Sequence, residues 1–159
     1  MEAIILAGGL GTRLRGVIGG IPKCMAPVNG KPFLQYQLEW LSRFDVRHVV
    51  FSVGYLKEQV IDFVKGREWP FAVSFAVEKE PLGTGGGIRL ALQKCREKQV
   101  FVLNGDTFYN VDLSALSFTA PVTLALKPMR DFDRYGAVDW DGDLVTGFRE
   151  KQYCAEGLI

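Results

Sequence analysis

The sequence contains little cysteine and almost no histidine. Its three cysteines, Cys24, Cys95 and Cys154, are an odd number, lie far apart and form no CxxC pair. This usage argues against a disulfide framework and against a zinc site of the usual spacing, and it favours reduced thiols in the cytoplasm. The single histidine, His48, stands at the start of a predicted strand, and we interpret it as structural.

Neither sign of charge is in excess, and no apolar run is long. Lysine and arginine total 19 and aspartate and glutamate total 18, in a chain of 159 residues. No broad positive field therefore exists to recruit nucleic acid or an anionic membrane, so we expect a small-molecule partner instead. The apolar runs are strand-sized, well short of the ~20 residues of a membrane span. Met1 leads directly into a strand, without the pattern of a signal peptide.

Apolar runs of strand length alternate with segments of helical periodicity. The first run, 3–7, ends in glycines, as expected for a strand buried on both faces of a parallel sheet. We predict helices at 32–44, 56–64 and 84–95 and strands at 49–53, 73–77 and 100–103. This alternation predicts an α/β fold, a Rossmann-like three-layer α/β/α arrangement with a mostly parallel mixed sheet. The carboxyl ends of its strands would meet at one edge, where ligands bind.

The pattern changes after Pro121. Segments 122–126, 137–140 and 144–148 are predicted to be strands joined by short turns, with Asp141-Gly142 as a hairpin turn. We therefore expect an antiparallel extension near the C-terminus. The apolar, strand-like ending 157–159 leads us to expect that a functional enzyme continues beyond it.

A glycine-rich loop, GGLGTR at 8–13, follows the first predicted strand directly. Glycines let backbone amides approach an anion closely, and Arg13 is suited to grip a phosphate with two hydrogen bonds. A tight turn without a ligand is the alternative interpretation of the glycines. No GxxxxGK[ST] stretch occurs, and Leu14 stands where the dinucleotide fingerprint GxGxxG needs its last glycine. A P-loop triphosphatase and a nicotinamide-dependent dehydrogenase are therefore disfavoured.

Three further features accompany the loop. Lys23 follows it in a proline-bounded segment, although lysines most often serve as solvated surface residues. A second glycine stretch, 83–87, lies where another predicted helix begins. The alternative interpretation is a flexible turn without a ligand, in which Thr84 is the N-cap of the helix. Asp106 follows the fourth predicted strand, where an aspartate is either a turn residue or, facing a triphosphate, a ligand for Mg²⁺.

Taken together, four stretches resemble the sugar-1-phosphate nucleotidylyltransferases in order and spacing. They are AIILAGGLGTRLR, IPK, EKEPLGTGGG and VFVLNGD, and the likeness continues through RDFDRYG and GFREK. Within the family, EKEPLGTGG, LNGDT and DFDRYG favour the branch of guanylyltransferases that act on D-glycero-D-manno-heptose 1-phosphate. The resemblance implies a single nucleotidyltransferase domain over 1–159 that lacks its C-terminal portion, in which the family has a second metal-binding aspartate.

The resemblance also implies a role for each matched residue. Catalytic roles fall to Arg13, Lys23 and Asp106, and Asp106 would also bind Mg²⁺. The residues that would bind the nucleotide are Leu6, Ala7, Gly8, Gly9, Gly11, Thr12, Glu80, Pro81, Gly83, Thr84 and Gly85. Of these, the residues from Glu80 onward would face the base and ribose, and we hypothesise that Glu80 accepts hydrogen bonds from the N1 and N2 groups of guanine. The residues that would bind the sugar phosphate are Gly136, Glu150 and Lys151. Cys24 departs from the PKPM or PKAM pattern of the family, and we expect a thiol there to be open to oxidation or alkylation.

The implied reaction joins a nucleoside triphosphate, GTP being favoured, to a sugar 1-phosphate and releases pyrophosphate. A phosphate monoester has its second pKa near ~6, so the attacking group is already a dianion and needs no general base. The implied setting is nucleotide-sugar biosynthesis for cell-surface polysaccharide. Two alternatives stay open: a mannose- or glucose-type enzyme using GTP, UTP or dTTP, and an inactive nucleotide-binding fragment. A homo-oligomer is compatible with the sequence.

Overall fold

The computed structural model describes residues 1–9, 11, 19–116 and 119–159, which form two compact units, Met1–Ser114 and Ala115–Ile159. Each unit has its own sheet. The elements of the first unit are β1 (Glu2–Leu6), β2 (Pro27–Val28), β3 (Lys31–Pro32), α1 (Phe33–Leu41), β4 (His48–Val53), α2 (Lys57–Lys65), β5 (Ala72–Val77), α3 (Gly83–Leu92) and β6 (Val100–Asn104).

The sheet of the first unit is parallel, with strand order β5-β4-β1-β6. Its central strands are continuous apolar runs because both of their faces are covered. On one face, Ile4 and Val50 pack with Ala91 of α3. The opposite face carries residues such as Phe51, which is 0% exposed. The fully buried apolar residues of α1 and α2 are Leu34, Leu38, Leu41, Val60 and Val64. The predicted three-layer α/β/α arrangement is confirmed.

Helix α1 is shorter than the predicted segment 32–44. Pro32 has an extended backbone, with φ −56° and ψ 137°, so it precedes the helix instead of opening it. Beyond Leu41, the N–H groups of Arg43 and Phe44 donate to the carbonyls three residues earlier, those of Trp40 and Leu41. The tighter turn ends the α-helix while keeping the apolar side of the segment against the core.

The amino ends of the strands hold a buried polar network around Glu2, which is 3% exposed. One carboxylate oxygen lies 2.7 Å from Nδ1 of His48, whose Nε2 lies 2.9 Å from the hydroxyl of Ser74. The other oxygen accepts from the N–H groups of Arg96 and Glu97, each at 2.7 Å. His48 therefore has a structural position at the sheet edge opposite the carboxyl ends of the strands.

Glu2→Gln is expected to flatten the acid side of the stability profile. Burial alone would raise the pKa of Glu2, but hydrogen bonds from Glu97, His48 and Arg96 together hold it below its usual value. The stabilisation by a carboxylate with a lowered pKa is complete above its unfolded pKa of ~4.3 and is lost as the pH falls through the folded pKa. At pH 7 we expect the free energy of unfolding of the variant to be about 1–2 kcal/mol below that of the wild type. On acidification from pH 6 to pH 3, the variant should lose less further stability than the wild type loses. Urea unfolding across this range measures both, and parallel profiles would contradict the assignment.

The second unit contains an antiparallel sheet of β7 (Pro128–Phe132), β8 (Ala137–Asp141), β9 (Leu144–Arg149) and β10 (Cys154–Leu158), in the order β7-β10-β8-β9. Gly142, with φ +55°, occupies the turn between β8 and β9, as expected for a hairpin glycine. The predicted antiparallel extension is confirmed.

The prediction of a strand at 122–126 is wrong. No strand is assigned there, and Val122 is 73% exposed, whereas the unpredicted strand β7 begins at Pro128. A strand exists only where another strand pairs with it, and β10 pairs with 128–132, aligning Leu158 with Pro128 and Cys154 with Phe132. Across the described ranges, no helix has the length and apolar character that crossing a membrane requires.

Candidate active site

A cleft of about 550 Å³ opens at the carboxyl ends of the parallel strands, within the unit Met1–Ser114. The chain winds from β1 outward through β4 to β5 and then returns to the other side of β1 to form β6. The winding therefore reverses at β1, and open α/β sheets bind ligands at such a reversal. The residues that line the cleft are Leu6, Ala7, Gly8, Gly9, Gly11, Lys23, Cys24, Ser52, Glu78, Pro81, Gly83, Thr84, Asn104, Gly105 and Asp106.

An ion pair lies on the β6 side of the cleft. Asp106 follows β6, and Lys23 begins the 3-10 turn Lys23–Met25. Nζ of Lys23 forms a salt bridge with Oδ2 of Asp106. The two side chains retain 44% and 32% of their exposure, so the pair is accessible to a ligand in the cleft. The structure thus brings together two of the side chains predicted to act on a polyphosphate.

Helix α1 holds the turn that carries Asp106. Gln37 of α1 is 1% exposed, and its Nε2 donates to the carbonyl oxygens of Asn104 at 2.7 Å and Thr107 at 2.8 Å. These two carbonyls lie on either side of Asp106 in the chain. Because a single amide nitrogen fixes both, the path of the turn between them is constrained.

A carboxylate lies on the β5 side of the cleft. Glu78 comes directly after β5 and lines the cleft. Its Oε1 accepts a hydrogen bond from the hydroxyl of Ser52 at 2.9 Å, and its Oε2 accepts one from the N–H of Leu82 at 3.1 Å. The cleft therefore has a carboxylate at the β5 side and a lysine–aspartate pair at the β6 side.

Cys24 lines the cleft but is only 3% exposed. Burial raises the pKa of the Cys24 thiol to about 12, and the negative charge of Asp106 also acts to raise it. Because the thiolate is the reactive form, the thiol is poorly reactive in the folded protein. This is the reverse of the reactivity expected from its position in the sequence.

Cys24 is expected to resist alkylation in the native protein. At pH 8 its raised pKa leaves about a thousandfold less thiolate than an ordinary cysteine has, so we expect modification by iodoacetamide at least about a hundredfold slower than in the unfolded chain. Peptide mapping by mass spectrometry measures the rate at Cys24 separately from those at Cys95 and Cys154. Equal rates in the native and guanidinium-unfolded protein would contradict the burial of this thiol.

Comparison with known proteins assigns the chain to a family. A model of the nucleotidyl transferase family matches residues 2–153. The chain belongs to the nucleotidyl transferase family. It is 47% identical to the D-glycero-alpha-D-manno-heptose 1-phosphate guanylyltransferase of Campylobacter jejuni and 45% identical to that of Aneurinibacillus thermoaerophilus. Each match covers 100% of this chain, and 72% and 71% of the two relatives.

A solved structure shares the fold of this nucleotidyl transferase. The crystal structure of HddC from Yersinia pseudotuberculosis complexed with GMP-PN superimposes with a TM-score of 0.87 at 37% sequence identity. The match covers 99% of this chain and 72% of the other. The predicted α/β class and the predicted family are both confirmed.

Most of the residues predicted to bind the nucleotide or to act in catalysis lie together in the cleft of this nucleotidyl transferase. Those that line it are Leu6, Ala7, Gly8, Gly9, Gly11, Lys23, Pro81, Gly83, Thr84 and Asp106. Thr84 lies inside α3, which begins at Gly83 after Leu82, so its alternative interpretation as the N-cap is wrong. The roles of the lining residues in binding stay predictions.

Two of the described residues that were predicted to bind the nucleotide are not part of this lining. Glu80 and Gly85 are exposed and do not line the cleft. Their predicted contacts with base and ribose stay predictions, although Glu78 is the glutamate of this stretch that faces the cleft. Thr12 and Arg13 lie outside the residues that the structure describes.

The residues predicted to bind the sugar phosphate belong to the second unit. Glu150 and Lys151 are exposed and directly follow β9. Gly136 precedes β8, and a Cβ there would lie 2.9 Å from the carbonyl oxygen of Arg149, so the close approach of the two strands requires glycine. Their roles also stay predictions.

The sequence interpretation missed polar residues that organise the nucleotidyl transferase site, above all Gln37, Ser52 and Glu78. Gln37 falls at a helical spacing of three and four from Leu34 and Leu41, within an apolar stripe. Ser52 interrupts the apolar run 49–53. A polar residue inside an apolar pattern must find a hydrogen-bond partner when buried, and that signal was present in both elements.

Proposed function

We propose that this protein transfers the GMP moiety of GTP to D-glycero-D-manno-heptose 1-phosphate. A phosphate oxygen of the sugar phosphate attacks the α-phosphorus of GTP, a new P–O bond forms, and the bond to the β-phosphate breaks to release pyrophosphate. Relatives that carry this activity in their names support the proposal over the whole chain. The main structural support is that a single cleft contains Glu78 at its β5 side and the ion pair of Lys23 with Asp106 at its β6 side.

The two sides of the cleft fix the direction in which the nucleotide would lie. Lys23 is suited to bind phosphate oxygens, and the glycines that follow β1 allow the backbone to approach them closely. A carboxylate, by contrast, repels phosphates and accepts hydrogen bonds from a base. We therefore infer that the base lies toward Glu78 and the triphosphate toward Lys23.

Glu78 supports guanine as the base. Guanine presents two adjacent donors, N1–H and the N2 amino group, and the two oxygens of a carboxylate accept from both. Uracil and thymine offer one donor between two carbonyl oxygens, so a carboxylate would face an unfavourable oxygen on either side. The sequence interpretation gave this acceptor role to Glu80. The cleft geometry favours Glu78 instead.

Catalysis by these residues would be electrostatic. The attacking phosphate is already a dianion near neutral pH, so no side chain has to remove a proton from it. Lys23 lowers the repulsion between the two polyanions and stabilises the charge that develops on pyrophosphate. We propose that Arg13 assists it there and that Lys151 with Glu150 and Gly136 holds the sugar phosphate.

A magnesium ion fits this cleft together with the nucleotide. Within the described residues, no group of three or more histidine, cysteine, aspartate or glutamate side chains is assembled for a metal. Mg²⁺ is commonly held by one or two carboxylates plus substrate phosphates, and Asp106 would supply such a carboxylate. When bound, the ion supplies charge neutralisation and orientation of the phosphates.

The proposal treats the two units as one nucleotidyltransferase domain that acts in the cytoplasm in nucleotide-sugar synthesis for cell-surface polysaccharide. The chain composition, with balanced charge, supports small anionic metabolites as its ligands. The alternatives are a hexose 1-phosphate or another nucleoside triphosphate as substrate, and an inactive nucleotide-binding chain.

Product analysis separates these possibilities. Purified protein is incubated with Mg²⁺, one of GTP, UTP, dTTP or CTP, and heptose 1-phosphate or mannose 1-phosphate, and products are identified by mass spectrometry. We expect a GDP-heptose peak and stoichiometric pyrophosphate with GTP and heptose 1-phosphate. GTP binding by calorimetry without product would favour the inactive chain, and a higher rate with any other pair would reject the proposed substrates.

A further inference from the structure

The carboxylate of Glu78 is held on several sides below the surface of the cleft. The hydroxyl of Ser52 donates to its Oε1 at 2.9 Å, and the N–H of Leu82 donates to its Oε2 at 3.1 Å. The N–H of Glu78 itself donates to the carbonyl of Val53 at 2.8 Å, which fixes the backbone. Each carboxylate oxygen has a further lone pair available for a ligand.

Ser52 has no exposure to solvent. It lies in β4 between Leu6 of β1 and Ala76 of β5, in the interior of a parallel sheet. Leaving a buried hydroxyl without a partner is unfavourable, so a serine in this apolar strand needs an acceptor. Glu78 supplies that acceptor, and Ser52 in turn holds the carboxylate in one orientation.

Two glycines, one in the loop after β1 and one in helix α3, lie against the same carboxylate oxygen. A Cβ at Gly8 would lie 2.9 Å from Oε1 of Glu78. A Cβ at Gly87 would lie 3.0 Å from that oxygen and 3.0 Å from Oγ of Ser52. Real Cβ atoms are rarely found at such distances, so a side chain at Gly87 would require the hydroxyl of Ser52 and the carboxylate of Glu78 to shift by a few tenths of an ångström. The second glycine stretch, which begins helix α3, therefore has a packing role at Gly87.

We propose that Ser52, with the space left by Gly87, is a positioning residue that sets base specificity by orienting Glu78 toward the N2 amino group of guanine. This inference rests on the proposed function, in which Glu78 accepts from the guanine edge. Ser52 has no solvent-exposed surface, and its hydroxyl is bonded to Oε1 of Glu78, so we place its action on that carboxylate and not on the base. Its effect on the nucleotide is therefore indirect and specific for the part of the base that Glu78 contacts.

The discriminating probe is ITP, which differs from GTP only by lacking the N2 amino group. A hydrogen bond from this group to an oriented carboxylate is expected to make GTP bind about 10- to 100-fold more tightly than ITP. A carboxylate that is free to rotate loses much of this preference, because its orientation must then be fixed at the cost of binding. The dissociation constant of ITP divided by that of GTP, which we call the GTP/ITP ratio because it expresses the preference for GTP, thus reports on the orientation of Glu78.

The experiment measures GTP and ITP affinity by calorimetry, with Mg²⁺ present, for the wild-type chain and for Ser52→Ala, Gly87→Ala and Glu78→Gln. We expect all three substitutions to reduce the GTP/ITP ratio about tenfold. Ser74→Ala is the matched control, since Ser74 also bonds a side chain from the sheet, His48, but at the opposite edge. Its GTP/ITP ratio should equal that of the wild type.

The outcomes separate this inference from the proposed function. Tighter binding of UTP than of GTP would reject the function itself. A wild-type ratio near one would reject the contact of Glu78 with the N2 amino group, and with it this inference. A normal ratio in Ser52→Ala, together with a reduced ratio in Glu78→Gln, would overturn the positioning role and leave the function in place. Should Ser52→Ala fail to fold, Ser52→Cys keeps the shape with a weaker donor, and an unchanged ratio in that variant would overturn the inference equally.

Discussion

Lys23→Met is expected to lower kcat/KM for guanylyl transfer by about a thousandfold while leaving the fold intact. Of the described residues that line the cleft, Lys23 is the one with a cationic side chain. Removing a preorganised donor aimed at developing charge typically costs a factor of about 10²–10³ in rate. The side chain is 44% exposed, so its truncation opens no cavity, and a solvated ion pair contributes only about 0–1 kcal/mol to stability.

The matched control is Lys31→Met, because Lys31 also pairs with a carboxylate, that of Glu39 at 3.5 Å, but does not line the cleft. Pyrophosphate release measures activity, and the thermal midpoint measures stability. We expect near-normal activity from the control and closely similar midpoints for both variants. Activity of Lys23→Met within a factor of about three of the wild type would remove Lys23 from the mechanism.

The fold of the first unit was predictable because its signals are local. The apolar runs 3–7 and 49–53 form the central strands β1 and β4, which are largely buried on both faces, so their composition marks them as central parallel strands. The apolar runs 73–77 and 100–103 form the partly buried outer strands β5 and β6 of the same sheet. The error at 122–126 has the opposite origin. Strand β7 lies at 128–132 because β10 pairs with it from more than twenty residues away, and such pairing leaves little local pattern.

The site was predictable where a residue type and its place after a strand carry the signal, as for Asp106 after β6. It was not predictable where the signal is a hydrogen bond across the fold. Both Glu78 and Glu80 belong to one acidic stretch, and only the end of β5 at Val77 and the bond to Ser52 show which carboxylate turns into the cleft. Sequence patterns give burial, but they do not give the partner of a buried polar group.

Gln37→Leu is expected to lower kcat/KM by about 10- to 100-fold without any contact between Gln37 and the substrates. The substitution removes both hydrogen bonds that hold the carbonyls of Asn104 and Thr107, at 2.7 and 2.8 Å, and so releases the turn that carries Asp106. A displacement of about 1 Å at a reacting centre is enough for such a loss. Stability should fall by only about 1–3 kcal/mol, because leucine also removes Oε1, which has no hydrogen-bond partner among the described residues.

Magnesium dependence distinguishes a positioning role of Gln37 from a general loss of stability. If Gln37 acts through Asp106, half-maximal activity of Gln37→Leu should need several-fold more Mg²⁺, while KM for the sugar phosphate stays unchanged. Gln35→Leu is the matched control on the same helix, since Gln35 bonds Glu39 at 2.8 Å and does not line the cleft. A Gln37→Leu protein with normal magnesium dependence would limit Gln37 to supporting the fold. A loosened core by itself would not change the Mg²⁺ concentration needed for half-maximal activity, whereas a displaced Asp106 would.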